Sequence, residues 1–395
     1  VLEYFVPAGL LFYLGYRERK RHNSNANSIP LRINVNGSRG KSTVTRLVTA
    51  MLAEAGMYTF GKTTGTSARL IYPSGQEKPI RRRPEGPNIN EQMRIIAQVA
   101  QRRGEALVSE CMAVTPDYQI VFQEELLRAQ VGVVTNVLED HLDLMGPTLT
   151  EVGQALAATI PKRGVLVTVE GPHLGMFREI ARQRESEVIV CDPTRVSSDY
   201  LAKFPYVLFP DNIALGLGVA QALGIEESVA LKGMLKANPD PGVLRLLPLG
   251  QGSYFVNAFA ANDPVSTLNI YKRIAEMGYN TDNSVVIMNC RPDRVDRTEQ
   301  FANSVLPQLN SDILVLVGGV TAPIQQAYKA GRIPAKHLLN LENMPANSII
   351  RKIEQEFPGR LVFGIGNIHG TGEPLQAEFE NIAKKEEKLA SVSTQ

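Results

Sequence analysis

The stretch Leu31-Arg32-Ile33-Asn34-Val35-Asn36-Gly37-Ser38-Arg39-Gly40-Lys41-Ser42-Thr43 decides the fold. Residues 31–35 carry a short apolar strand pattern, and residues 44–55 read as a helix. Strand, glycine turn, Lys-Ser-Thr, helix is the layout of a nucleotide phosphate loop. Glycine lets backbone N–H groups approach phosphate oxygens. The helix N-terminus adds partial positive charge, Lys41 a full one, and Ser42 offers a hydroxyl to Mg²⁺. This predicts ATP or GTP binding. The loop is not a full Walker match, because Val35 stands where the pattern has its first glycine. The plain alternative is a glycine turn before a surface helix. The Gly-Lys-Ser-Thr core, set between strand and helix, weighs against it.

Outward from that loop, β and α patterns alternate to about residue 236. Strands are expected at 32–36, 106–110, 131–136, 165–169 and 188–191, and a short one at 58–60 before a Gly/Thr turn. Helical stretches lie between them. Asn238-Pro239-Asp240-Pro241-Gly242 is a break. A hairpin pattern (243–247 and 254–258) follows, and then further βα units with strands at 284–289, 313–317 and 360–365. The chain is therefore expected to be α/β: a P-loop ATPase domain with a mostly parallel sheet (31–240), then a smaller C-terminal Rossmann-like domain (241–383). Residues 384–395 read as a fraying tail.

With 395 residues, two domains are expected. The net charge of +2 gives no global pull toward nucleic acid. Cys111, Cys191 and Cys290 are widely spaced and odd in number, which argues for a reducing compartment and against disulfides or a zinc site. Residues 1–16 are nearly all apolar, and Arg17-Glu18-Arg19-Lys20-Arg21-His22 follows. That order is wrong for a secretory signal, and basic residues after the run place the remainder on the cytoplasmic side. Residues 1–22 are read as a membrane-anchor or docking segment and 23–30 as a linker, although the apolar run is short of the ~20 residues that span a bilayer.

Three further places carry chemistry. Thr135-Asn136-Val137-Leu138-Glu139-Asp140-His141-Leu142-Asp143 follows a strand, where open α/β sheets bind ligands, and its carboxylates with His141 suit Mg²⁺. Glu110 ends an apolar strand at the same edge, as a Walker B acid does; the alternative is a strand-end salt bridge. Gly61-Lys62-Thr63-Thr64-Gly65-Thr66 suits a second phosphate or Mg²⁺ contact, with Thr64 the candidate ligand, or else an ordinary turn. Gly364-Ile365-Gly366-Asn367-Ile368-His369-Gly370 imitates a dinucleotide fingerprint, but its spacing is wrong and it reads as a tight strand-to-helix turn.

Together these pieces resemble the Mur ligases and folylpolyglutamate synthases. Residues 37–43 look like that superfamily's shortened glycine loop, and 135–143 like its TN…DHLD signature. Glu110 stands where it keeps a Mg²⁺ glutamate. Asp211-Asn212-Ile213-Ala214-Leu215 resembles its HN helix start, with Asp for His. Ala260-Ala261-Asn262-Asp263-Pro264 resembles the DYAHNP turn that opens its C-terminal domain. The likeness runs in consistent order over about residues 31 to 370. A finer likeness is to poly-γ-glutamate synthases of the capsule type. It is carried by residues 36–47, 61–66, 85–89, 109–114 and 116–119, by Asn289-Cys290-Arg291-Pro292-Asp293-Arg294 with Asp296-Arg297-Thr298, and by 366–370. Leu156-Ala157-Ala158 stand where many Mur ligases place a carbamylated lysine, and Asn257 replaces a ribose-contacting Asp. The resemblance stops short of those two features.

The resemblance implies ATP-driven amide ligation through an acyl phosphate. It implies ATP and Mg²⁺ as cofactors, with Lys41, Glu110 and His141 catalytic. Nucleotide contacts fall on Gly37, Ser38, Arg39, Gly40, Lys41, Ser42, Thr43, Asn212 and Arg245, and metal contacts on Ser42, Thr64, Glu110 and His141. Arg291, Arg294, Arg297, Asn88 and His369 are candidates for substrate, and Arg81-Arg82-Arg83 is a further basic cluster. The implied partners are glutamate, the γ-glutamyl chain and small membrane-protein subunits at the cytoplasmic face of the membrane, with no nucleic acid; self-association is left open. Two other readings stand beside it: a soluble folylpolyglutamate or Mur-type ligase, and a membrane-tethered P-loop ATPase that forms no bond.

Overall fold

The computed structural model describes residues 2–64, 68–82, 88, 90–240, 244–261 and 263–392. Gly65, Thr66, Arg83, residues 85–87, Ile89, Pro241, Gly242 and Asn262, all part of the readings above, lie outside the described residues. The chain forms two compact units: Val1–Lys203 with Phe209–Val243, and Phe204–Leu208 with Leu244–Gln395.

The first unit is built on β1 (Leu31–Asn36), β2 (Thr59–Lys62), β3 (Arg69–Ile71), β4 (Glu77–Pro79), β5 (Ala106–Glu110), β6 (Val131–Val134), β7 (Val165–Val169) and β8 (Glu187–Cys191). Their order in the sheet is β4-β3-β2-β5-β1-β6-β7-β8. Pairs from β2 through β8 are parallel, and the β2–β3 and β3–β4 pairs are antiparallel. The central place of β1 explains its apolar residues Ile33 and Val35, both wholly buried. It does not by itself explain Arg32, Asn34 and Asn36, which alternate with them and are also buried. Each has found an internal partner. Asn34 Nδ2 donates to Gln123 Oε1 (2.9 Å) and Asn36 Nδ2 to Gln119 Oε1 (2.7 Å). The Arg32 guanidinium donates to the carbonyls of Ala26, Ile29, Leu127 and Arg128. Burial, and then the charge of Arg128, lowers the Arg32 pKa.

That arginine overturns the expected linker at 23–30. The first helix runs Leu2–Asn27, and Ala26 and Ile29 are wholly buried. His22 Nε2 lies 2.9 Å from the Leu126 carbonyl oxygen. Polar composition suggested a linker, but Arg32 holds the carbonyls that end the helix. Toward its start the same helix exposes Leu10, Leu11, Phe12, Tyr13, Leu14 and Tyr16. Among the described residues no helix is long and apolar enough to cross a membrane.

The second unit contains β9 (Leu246–Gly250), β10 (Ser253–Asn257), β11 (Ser284–Cys290), β12 (Ser311–Gly318), β13 (His337–Asn340) and β14 (Leu361–Gly366), in the order β13-β12-β11-β14-β10-β9. Only the β9–β10 pair is antiparallel among the described strands. The two mostly parallel sheets are the α/β architecture expected. The fraying tail is not: a helix runs Gly372–Val392. Leu375, Phe379 and Ala383, four residues apart, form its buried face, and Phe379 stacks on Phe255 with ring centroids 3.8 Å apart. Burial of a side chain of this size contributes about 1.5–3 kcal/mol. The charged residues of this segment are simply the helix's other face.

Candidate active site

Strand order brings the first unit's candidates together. β1 lies between β5 and β6, with Val35 opposite Glu110 and Asn36 opposite Val134. The loop after β1 therefore meets both Glu110 and the Thr135-Asn136 turn at one carboxyl edge of the sheet.

The turn holds the loop. Thr135 Oγ1 donates to the Arg39 carbonyl at 2.7 Å, and Asn136 Nδ2 to the same oxygen at 3.1 Å. Asn136 Oδ1 accepts the Arg39 amide at 2.9 Å. Ser38 Oγ exchanges two hydrogen bonds, each 2.9 Å, with the backbone of Leu138. Arg39 also pairs with Asp140 at 2.9 Å. Gly37 sits at φ +128°, and a Cβ there would come within 2.0 Å of Thr135 Oγ1. Gly40 sits at φ +83° with the Asn212 side chain packed over it. Ser38 and Arg39 thus serve the loop's shape.

The helix Lys41–Glu54 opens directly from this loop. Gly40 is its N-cap and supplies no side-chain cap, so the first amides of the helix, at Lys41, Ser42 and Thr43, are left for an anion. Lys41 Nζ folds over the loop and donates to the carbonyls of Gly37 (2.6 Å) and Ser38 (3.1 Å). An ammonium resting on neutral carbonyls is available to a phosphate oxygen, which it would prefer.

Beside it, Ser42 Oγ donates to Glu110 Oε2 at 2.8 Å, and the Thr64 amide donates to the same oxygen at 2.8 Å. Glu110 is buried. A hydroxyl and a carboxylate are hard oxygen donors suited to Mg²⁺, which takes its remaining ligands from phosphate and water. Thr64 contributes its backbone N–H; no hydroxyl contact of Thr64 is seen among the described residues. His141 departs further from expectation. It caps the short helix Leu142–Met145 in a left-handed conformation (φ 46°), half its side chain is exposed, and its Nε2 lies 3.8 Å from Asp140. Nothing joins it to Glu110 among the described residues. Glu139 and Asp143 are exposed and Asp140 pairs with Arg39, and among the described residues no group of three or more Asp, Glu, His or Cys gathers for a metal.

Asn88 is exposed and accepts the Asn90 amide at 2.9 Å, a local turn at the start of the helix Asn90–Gln101. In the second unit, Arg245 is exposed near the start of β9. Arg291 is held by Asp293 (2.7 and 3.0 Å) and Arg294 is exposed. His369 is exposed and pairs with Glu373 at 2.8 Å. Arg297 is half-buried, donates to Asn367 Oδ1 at 2.5 Å, and has its pKa lowered by burial and then by Arg294. Sequence reading missed the two asparagines beside it. Asn289 Nδ2 donates to the carbonyls of Asn367 (2.6 Å) and His369 (3.0 Å), and Asn367 Nδ2 returns a bond to the Asn289 carbonyl at 3.1 Å. This pair ties the ends of the adjacent strands β11 and β14. Asn289 Oδ1 is buried without a partner among the described residues. Both lie in segments that carry the family likeness, which assigned them no contact.

Residues 35–206 match the model of the Mur ligase middle domain, and residues 243–382 that of the poly-gamma-glutamate synthase CapB C-terminal domain. The chain is 52% identical over 374 residues to the PGA synthase CapB of Bacillus subtilis (strain 168), covering 94% of this chain and 95% of the relative. The chain belongs to the CapB family of poly-gamma-glutamate synthases. It is also 51% identical over 385 residues to the capsule biosynthesis protein CapB of Bacillus anthracis, covering 96% of this chain and 83% of that protein. Its fold is similar to that of a bifunctional folylpolyglutamate synthase/dihydrofolate synthase solved with Mn, AMPPNP and L-glutamate bound. The TM-score is 0.62 at 14% identity, with 94% of this chain and 97% of that one covered.

Proposed function

We infer that this chain is an ATP-dependent acid–amino-acid ligase that polymerises glutamate through γ-carboxyl linkages, releasing ADP and phosphate. The observation that carries this reading is the Ser42–Glu110 pair beside an uncapped helix N-terminus, in a chain of the CapB family. The amides of residues 41–43 and Lys41 bind the phosphates of ATP, and Ser42 with Glu110 would hold Mg²⁺. Bound there, the ion supplies Lewis-acid charge to the transferring phosphoryl group.

The γ-carboxylate of the chain end attacks the γ-phosphorus, the bond to the ADP oxygen breaks, and an acyl phosphate forms. The amine of an incoming glutamate then attacks the acyl carbon. The carbon–oxygen bond to phosphate breaks, phosphate leaves with the carboxylate oxygen, and the nitrogen gives up its proton. Lys41 offsets the charge repulsion between the two anions that must meet. Arg297, set by Asn367, is the best-oriented candidate for a substrate carboxylate in the second unit, with Arg291, Arg294 and His369 around the same strand ends.

We further propose that the chain works at the cytoplasmic face of the cell membrane with small membrane-protein partners. The exposed run Leu10 to Tyr16, followed by the basic residues Arg17, Arg19, Lys20 and Arg21, supports this. The test is ADP release from membranes containing the chain, with and without glutamate and a short γ-glutamyl acceptor, beside Lys41→Ala. Glutamate-dependent release lost in the variant is expected. Release indifferent to glutamate sinks the ligase reading in favour of a bare ATPase.

A further inference from the structure

The chemistry derived above leaves unused a groove of about 620 Å³ in the second unit. It lies at the amino ends of the strands: Asp312 is the second residue of β12, His337 the first of β13, and Arg360 directly precedes β14. Tyr328 and Lys329, from the helix Ala322–Lys329, form another wall. Asn289, Asn367 and Arg297 gather at the opposite, carboxyl ends. The 8 residues of β12 separate the two edges by about 26 Å.

Three cations, Lys329, Lys336 and Arg360, line the groove with two carboxylates, Asp312 and Glu356. Asp312 pairs with Lys336 Nζ at 2.7 Å and Arg360 Nη2 at 3.0 Å, and Arg360 Nη1 donates to Glu356 at 2.9 Å. Exposed Lys329 has no ion pair among the described residues, so the groove keeps an excess of positive charge. Leu338 packs partly on the core and Leu339 is exposed. β13 is the outermost strand and pairs with β12 alone among the described strands. Its outer edge therefore presents backbone N–H and C=O groups. Exposed ion pairs contribute little to stability, and a leucine on an open strand edge is a liability unless something covers it. Charge, open edge and apolar side chains together fit a ligand that is anionic, extended and partly apolar.

We propose that this groove holds the body of the growing γ-glutamyl chain, away from its reacting end. The proposal rests on the ligase reading and adds retention of the product. Each residue of such a chain carries a free carboxylate, a main-chain amide and two methylenes. The carboxylates meet Lys329 and Lys336, the methylenes lie against Leu338, Leu339 and Tyr328, and the amides pair with the open edge of β13, as an added strand does. A γ-linked residue has five backbone bonds against the three of an α-peptide, so it spans about 6 Å when extended. A chain held at the carboxyl edge therefore needs at least about five residues to reach the groove. Short acceptors react without it, and long ones are retained by it.

The test measures binding of fluorescent γ-linked glutamate oligomers, a tripeptide and a dodecamer, to the full chain in membranes without ATP. The dodecamer is expected to bind about 10-fold more tightly at low salt, with the gain shrinking as salt rises. In the double variant Lys329→Gln, Lys336→Gln most of that gain is lost. Tripeptide affinity and ADP release with the tripeptide acceptor hold, and the polymer made is shorter. Lys272→Gln with Lys384→Gln, exposed lysines outside the groove, keeps the gain. If the groove variant does not fold, Lys329→Gln alone carries the test, with part of the gain lost. A gain that survives in the groove variants, or that falls equally in the control pair, overturns the proposal. So does a groove that favours an α-linked glutamate dodecamer and not the γ-linked one, which makes it a dock for an acidic protein segment. Absence of glutamate-dependent ADP release in wild type is a separate outcome: it defeats the ligase reading itself.

Discussion

The Ser42 hydroxyl donates to Oε2 of Glu110 across 2.8 Å, joining the first turn of the phosphate-loop helix to the end of a neighbouring strand. Ser42 and Glu110 would hold Mg²⁺ here, and the Thr64 amide fixes the carboxylate. Glu110→Gln keeps the shape and loses the charge. It is expected to lower kcat by about 100-fold or more, with nucleotide binding in EDTA unchanged. Mg²⁺ titration of ADP release checks this; wild-type turnover in the variant would remove Glu110 from the metal site.

Gly37 leaves no room for a side chain, since a Cβ would stand 2.0 Å from Thr135 Oγ1 at a φ of +128°. Gly37→Ala is expected to cost about 1–3 kcal/mol of stability from backbone strain alone and to weaken ATP binding by displacing the loop. Thermal melting with and without nucleotide reads both. An unchanged ligand-induced shift in melting temperature would show that the loop tolerates the displacement.

Arg32 binds the end of the first helix to the carbonyls of Leu127 and Arg128. Arg32→Met leaves those oxygens unsatisfied, at about 1–3 kcal/mol for each that water does not reach. Limited proteolysis is expected to cut the variant within residues 20–30 well before wild type. Equal cleavage rates would mean the helix is held by other contacts.

The three cysteines are free and buried. Burial pushes Cys111 and Cys191 up to about 11 and Cys290 up to about 12, so none is a thiolate at pH 8. None is expected to react with a thiol reagent in the folded chain, and all three should react in denaturant. The raised values also set a sign. Above about 9, the ordinary thiol value, the unfolded chain releases protons that the folded chain retains, so stability falls as pH rises through that range. Rapid native labelling would contradict the burial.

The phosphate loop was legible because strand, glycine turn and Lys-Ser-Thr lie together in the chain, and Glu110 because it ends an apolar run. What Thr135 and Asn136 do there was not, since their partners are backbone atoms of residue 39, reached only when β6 pairs with β1. The apolar strand pattern at 31–35 did not show that Asn34 and Asn36 are buried as well, donating to Gln123 and Gln119 far along the chain. His141 drew attention by composition, but a left-handed turn and the Arg39–Asp140 pair govern its surroundings. Lys62 read as part of a Gly/Thr turn, whereas it ends β2 wholly buried with its Nζ 3.2 Å from Glu91, a partner brought over by the following helix. Local order in sequence carried the fold, while side-chain partners set by tertiary pairing did not show in it.

The most direct test of the account follows oxygen. A γ-glutamyl acceptor labelled with ¹⁸O in its terminal γ-carboxylate is incubated with ATP, Mg²⁺, glutamate and the chain in membranes, and the released phosphate is weighed by mass spectrometry. Ligation through a phosphorylated carboxylate predicts one labelled oxygen in each phosphate formed. Phosphate released without label would contradict it and leave a hydrolase.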